Sequence, residues 1–301
     1  MTGMTAPRSH LAERAVAAMG PLRATETLAA EALAPQEPVL REVLRNAESF
    51  TAPPAAPPPA IGLEALREAG LAFEPQAEIR PRLVEELTLI QHQVLRAIPP
   101  IDPMRPALGA RQAVMVTSAR PEEGKSFIAL NLAASLAAAG ERPVLLVDVD
   151  GTSGALTERL GLAQAPGLRA LAQDPSQPVS LLLRTAAIAG LSVLPYGARL
   201  PGQAAPSGAA LATAVRTLAA ALPRHVLVLD TPAALASSDA PALAAMVGQV
   251  LLVVQAEATP RDAVEAALDV LEACPVLQLM LNRSRVASDD SFGDPAATAD
   301  G

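Results

Sequence analysis

From Arg111 onward the chain alternates short runs of Val, Leu and Ala with longer stretches of helical periodicity. Six apolar runs predict strands: AVMV (113–116), PVLLVDV (143–149), LSVLP (191–195), HVLVLD (225–230), QVLLVVQ (249–255) and VLQLMLN (276–282). Helical patterns fill intervals at 124–140, 207–222, 238–247 and 260–273. A strand exposed on one face alternates apolar and polar positions, whereas a strand covered on both faces is apolar throughout. The pattern therefore predicts an α/β fold with a mostly parallel sheet between two layers of helices.

Upstream the pattern differs. The stretch from Ile61 to Ile98 predicts helix, and Leu83, Leu87, Ile90 and Val94 form one apolar stripe that packs on the chain's own core. Residues 1–60 are rich in Ala, Pro and Glu, and TAPPAAPPPA at 51–60 predicts an extended polyproline stretch within a disordered arm. The polar end, SDDSFGDPAATADG from Ser288, predicts a disordered tail. The expected divisions are an arm at 1–60, a helical extension at 61–107, the α/β domain at 108–286 and an acidic tail at 287–301.

Composition narrows the function classes. The chain is 50% apolar, enough for a large core, but its net charge is −8 and its aromatic content 2%. Without a basic surface or stacking aromatics, nucleic acid is not an expected partner. Cys274 is the only cysteine, so no disulfide framework exists and a reducing cytosol is expected. The first 20 residues lack a continuous apolar core and include Glu13, unlike a signal peptide. The apolar runs at 127–140 and 244–256 are interrupted by Asn131 and Gln249 and fall short of the roughly 20 residues a spanning helix needs. A cytoplasmic protein is expected, with any attachment to the inner membrane made through a partner. His10, His92 and His225 are scattered, and one cysteine cannot help them build a zinc cluster.

The chain holds 22 arginines and one lysine, and that lysine lies in ARPEEGKSF at 119–127. A strand, a turn ending in Gly-Lys-Ser and then a helix is the Walker A arrangement. The loop Ala119, Arg120, Pro121, Glu122, Glu123, Gly124 supplies backbone N–H groups, and the helix beginning near Lys125, Ser126 and Phe127 adds its positive end. Lys125 offers a compact ammonium to the phosphates of ATP, and Ser126 a hydroxyl to Mg²⁺. A planar guanidinium does not fit a pocket shaped for an ammonium, so arginine cannot replace this residue. Ala119 stands where the general motif has its first glycine. Glu122 puts an acid beside a polyphosphate, harmful if it points inward and harmless if outward.

Three carboxylates end predicted strands: Asp148 and Asp150 after VLLV, and Asp230 after HVLVL. In open parallel sheets ligands sit beyond the carboxyl ends of the strands. Asp230 is expected to orient Mg²⁺, Asp148 to act as metal ligand or as the base that accepts a hydroxyl proton, and Asp150 to assist. Pro232 should fix the turn after the strand. Asn282 either hydrogen-bonds a nucleotide base or caps a loop.

These segments, together with GLSVLPYG, VLVLDTPAALASSDAPALA, VLLVVQAEATPRDAV and LMLN, resemble the bacterial tyrosine kinases of capsular and exopolysaccharide synthesis, P-loop proteins related to the MinD/ParA ATPases. The resemblance covers roughly Arg111 to Arg283, and IGLEALREAGL with VEELTLIQHQVLRAI is similar to the exosortase-associated autokinase subgroup. It implies ATP and Mg²⁺ bound by Lys125, Ser126 and Asp230, with Asp148 and Asp150 activating a tyrosine hydroxyl. It also implies a homo-oligomeric ring and a membrane-embedded chain-length regulator as partner. The sequence departs from that pattern in four places. Glu122 replaces a glycine, Gly151–Gly154 replaces an arginine-bearing segment, no arginine lies between Glu85 and Val94, and Tyr196 is the only tyrosine. A MinD/ParA-like positioning ATPase normally carries a second lysine where this chain has Arg120. Three functions follow as expectations: a tyrosine-kinase-like regulator of polysaccharide polymerisation and export, an ATP-responsive adaptor that has lost phosphoryl transfer, and a positioning ATPase.

Overall fold

In the computed structural model the six apolar runs form strands of one seven-stranded sheet ordered β3-β4-β2-β5-β1-β6-β7. The structure describes residues 60–73, 82–100, 110–199 and 202–284, all within Pro58–Gly301. The expected arm, save Ala60, and the expected acidic tail lie outside these residues. The strands are β1 (Ala110–Ser118), β2 (Val144–Asp148), β3 (Arg184–Thr185), β4 (Leu191–Leu194), β5 (Val226–Asp230), β6 (Val247–Gln255) and β7 (Leu277–Asn282). All pairings are parallel except the short β3, which runs antiparallel to β4. Two residues are too few for a periodicity, which is why β3 was not expected.

The helices are α1 (Leu63–Glu68), α2 (Arg82–Ala97), α3 (Lys125–Ala139), α4 (Leu156–Arg159), α5 (Leu168–Gln173), α6 (Val179–Leu182), α7 (Gly208–Ala221), α8 (Ala240–Ala244) and α9 (Arg261–Leu271). The helix expected from Ile61 to Ile98 is corrected: α1 ends at Glu68, and residues 71–73 belong to no helix or strand. The helix expected at 238–247 is α8 alone, because β6 begins at Val247 and claims the end of that span. The short helices α4, α5 and α6 lie where no periodic signal was long enough to read.

Alternate residues of each strand feed two cores. Met115, Leu145, Leu227 and Leu252 face the layer with α7 and α9, whereas Val114, Leu146, Val228 and Val253 face the layer with α1, α2 and α3. Helix α3 is apolar on every side, and Ile128 to Ala137 are all buried. Such a helix needs cover on its outer face as well as its sheet face. Helix α2 supplies it through Leu87 and Val94, and a Ser135 hydroxyl donates to Gln91 Oε1 at 2.6 Å. The expected stripe on 83–94 thus packs on the chain's own core.

The residues after α1 are pinned to α3 by one side chain. Asn131 Oδ1 accepts from the N–H groups of Ala72 at 2.7 Å and Phe73 at 2.9 Å, while Nδ2 donates to the carbonyls of Gly70 at 2.9 Å and Phe127 at 2.8 Å. All four amide valences are therefore used in a fully buried position. Asn131→Leu should destabilise the protein by about 2–4 kcal/mol in urea unfolding, because it strands buried backbone donors and acceptors.

Candidate functional site

The loop between β1 and α3 is built from its own side chains. Ser118 Oγ donates to the Arg120 carbonyl at 2.7 Å, and the Arg120 N–H donates to Glu123 Oε2 at 3.1 Å. The other Glu123 oxygen accepts from Thr259 Oγ1 at 2.5 Å, and Asn282 Nδ2 donates to the Glu123 carbonyl at 2.9 Å. Glu123 therefore bolts the loop to the ends of β6 and β7, and its side chain is buried. Of the two roles open to Asn282, the bond observed is the one that holds the loop. Gly124 adopts φ 98°, and a Cβ there would stand 2.2 Å from Asn282 Nδ2, so both conformation and space require glycine.

Glu122 is a non-glycine residue at φ 66°, in the left-handed region. Its side chain is exposed, so the carboxylate is not driven into the loop. Arg120 and Pro121 are also exposed, and Ala119 is fully buried. A cavity of about 440 Å³ opens at the head of α3, lined by Glu122, Gly124, Lys125, Ser126, Phe127, Arg159 and Arg283. Its size suits a nucleotide. The amides of the first turn of α3 have no side-chain cap and so remain available to an anion.

Strand register brings the acids together. Asp148 and Asp230 are direct neighbours at the ends of β2 and β5, and Val116 of β1 pairs with Asp230 on the other side. After β5 the chain is fixed by Thr231, whose N–H and hydroxyl both donate to the Val116 carbonyl, and by the Thr117 hydroxyl, which donates to the Pro232 carbonyl at 2.8 Å. Lys125 Nζ lies 2.8 Å from Asp150 Oδ2 and 3.4 Å from Ser126 Oγ. Asp150 Oδ1 accepts from the N–H and hydroxyl of Thr152 at 3.1 and 2.6 Å. Asp148 is fully buried, with Oδ1 accepting from the Asp150 N–H at 2.9 Å and Oδ2 from the Thr157 N–H at 2.6 Å. Asp230 is equally buried, yet neither oxygen has a hydrogen-bond partner.

The electrostatics follow from this crowding. Burial would depress the Lys125 pKa, but the charges of Asp230, Asp150 and Asp148 outweigh it and hold the ammonium above its usual value. Burial would raise Asp150, but the Lys125 and Thr152 hydrogen bonds carry it below the ordinary carboxylate range. Asp148 is pushed up to about 6, chiefly by burial and against the Thr157 bonds. Burial and the Asp148 charge push Asp230 to about 7, with Lys125 and the nearby Ser126 hydroxyl opposing.

Asp150 also lines a second cavity of about 120 Å³ with Thr152, Thr157, Glu158, Gln164, Tyr196 and Arg199 among others. The Tyr196 ring lies against Gly151, where a Cβ would meet it at 2.6 Å. Tyr196 is only 6% exposed, and burial raises its phenol pKa despite Arg169 and Arg199 nearby. Sequence reasoning did not find Thr157, Thr259, Arg159 or Arg283. Arg283 adjoins Asn282 and was within reach of the motif, but the others come from segments without a phosphate-loop signature.

The fold and this loop define a P-loop protein. No protein-family model matches the chain. Tyrosine-protein kinase Wzc from Salmonella typhimurium is 33% identical over 159 residues, covering 52% of this chain and 21% of Wzc. The succinoglycan biosynthesis transport protein ExoP from Rhizobium meliloti is 31% identical over 195 residues, covering 61% of this chain and 24% of ExoP. Among solved structures, the BceF tyrosine kinase domain superposes with a TM-score of 0.53 at 28% identity, covering 68% of this chain and 80% of that domain. The chain is thus homologous to bacterial tyrosine kinases, and it spans about a fifth to a quarter of the length of these relatives.

Two outcomes are expected at this site. Glu122→Gly should stabilise the protein by about 1 kcal/mol in urea unfolding, since a left-handed conformation costs a side-chain-bearing residue about that much. Asp230→Asn should stabilise the metal- and nucleotide-free protein at pH 8 by roughly 2–4 kcal/mol. A carboxylate whose folded pKa lies above its unfolded value costs stability as pH rises from about 4 through about 7, so the gain should vanish below about pH 4. Unfolding midpoints measured across pH check the sign.

Proposed function

We propose that this chain binds ATP with Mg²⁺ and acts as a tyrosine-kinase-like regulator of exopolysaccharide polymerisation and export. The observation that carries the reading is the lone ammonium of Lys125 at the head of α3, beside an Asp230 whose two buried oxygens lack partners. Unsatisfied buried carboxylate oxygens suit a cation that completes their coordination. Among the described residues no group of three or more His, Cys, Asp or Glu could hold a metal. Mg²⁺ fits such a site, since it commonly uses one or two carboxylates with substrate phosphates and water. Asp230 and Ser126 would hold it, with Asp148 in reserve, and when bound it neutralises charge developing on the transferred phosphoryl group.

The chain's own residues divide the remaining work. The loop amides and the α3 terminus cradle phosphates, and Lys125 exchanges its Asp150 partner for phosphate oxygens. Asp150 lines an open cavity, whereas both Asp148 oxygens are buried and engaged. Contact with this cavity therefore favours Asp150 as the group that accepts an acceptor hydroxyl's proton once Lys125 has moved to phosphate, with Asp148 orienting it through the Asp150 amide. Burial makes Tyr196 a poor acceptor, and the sequence holds no other tyrosine. No helix among the described residues is long and apolar enough to cross a membrane. A membrane-embedded chain-length protein as partner, a cytoplasmic face at the inner membrane and ring assembly all belong to this same proposal.

Calorimetry with MgATP should show saturable binding that Lys125→Met weakens at least about 100-fold. Labelled ATP with tyrosine peptides should show transfer lost in Asp150→Asn and in Lys125→Met. Binding without transfer would support the adaptor reading; no saturable binding would refute all three readings.

A further inference from the structure

We propose that Arg159 distinguishes triphosphate from diphosphate and couples that distinction to the end of α1. The proposal rests on the nucleotide-binding reading above and extends it to a residue outside the phosphate motif.

Arg159 is the last residue of α4, and α4 is held firmly to the acidic strand ends. The Thr157 N–H donates to Asp148 Oδ2, and Thr157 Oγ1 accepts from the Tyr196 N–H at 2.7 Å. Two residues further on, the Arg159 side chain reaches the mouth of the cavity that Gly124, Lys125 and Ser126 form. There one guanidinium nitrogen donates to the Ala69 carbonyl, at the residue that closes α1. No carboxylate of the described residues forms an ion pair with it, and its other donors have no protein partner there. A guanidinium carries five donors in a fork that matches phosphate oxygens.

The charge balance gives it a task. Lys125 is already paired with Asp150, whereas Arg159 stands at the same cavity, beside Glu122 and Arg283, in no ion pair with a described residue. The longer and more negative triphosphate gains more from this cation than the diphosphate does. A terminal phosphate that drew the free donors of the guanidinium toward it would carry along the one nitrogen that holds the Ala69 carbonyl. Residues 70–73 stay fixed by Asn131, so the release falls on the last turn of α1, where the Gly70 N–H bonds the Arg67 carbonyl and the Leu71 N–H bonds the Leu66 carbonyl. Arg159 would thus report the phosphate state of the pocket to the segment that leads toward the N-terminus.

The test uses the full chain with Mg²⁺ and a non-hydrolysable ATP analogue or ADP, in wild type, Arg159→Ala and Arg159→Lys. Affinity for the triphosphate should fall about tenfold in Arg159→Ala, while ADP affinity changes by less than about twofold. Arg159→Lys should recover part of the loss. Hydrogen exchange at the Gly70 and Leu71 amides should speed up with triphosphate in wild type and not in Arg159→Ala. An unchanged ratio of triphosphate to ADP affinity in a variant that still binds ADP overturns the proposal and leaves the nucleotide reading intact. Failure of wild type to bind either nucleotide overturns both.

Discussion

One ammonium set among three buried carboxylates governs the architecture of this protein. Lys125 bonds Asp150, and the charges of Asp148 and Asp230 act on it from the adjoining strand ends. Buried charges are tolerated only when paired, and removing one partner leaves the other uncompensated. Here the pairing is incomplete: one cation cannot neutralise three acids, and burial, with the neighbouring acids adding to it, raises the pKa values of Asp148 and Asp230. The surplus negative charge is what a divalent cation would neutralise. The sheet holds that unfavourable arrangement in place, because the parallel register of β2, β5 and β1 leaves Asp148 and Asp230 no alternative position.

Much of this was legible in the sequence, for physical reasons. Val and Leu at consecutive positions require cover on both faces, so the six main strands and the layered fold could be read directly. The Gly-Lys-Ser turn and the strand-end acids could be read as well, since their chemistry is local in sequence. What escaped reading was set by tertiary contacts. Glu123 was read only as one of the loop's backbone donors, whereas its carboxylate fixes the loop through the Arg120 amide and the Thr259 hydroxyl. Arg159 carries no motif, and only the packing of α4 brings it to the cavity. The end of α1 was hidden because residues 70–73 are held out of helix by Asn131, a side chain far away in sequence.

The departures from the kinase pattern now have distinct physical meanings. Glu122 holds a left-handed backbone conformation at a cost in stability, and its exposed side chain stands at the rim of the cavity it helps to line. Gly151 is needed because the Tyr196 ring occupies the space its side chain would take, which ties the only tyrosine to the geometry of Asp150. A residue with that structural duty is poorly suited to be modified.

The bond from Asn282 to the Glu123 carbonyl joins residues 159 positions apart. During synthesis, the loop at 119–124 emerges long before the strand that clamps it. The bond from Asn282 can form only once the last strand has docked beside β6. The clamp on this loop is thus a contact of high sequence separation, one that local folding of the first strand and helix alone cannot make.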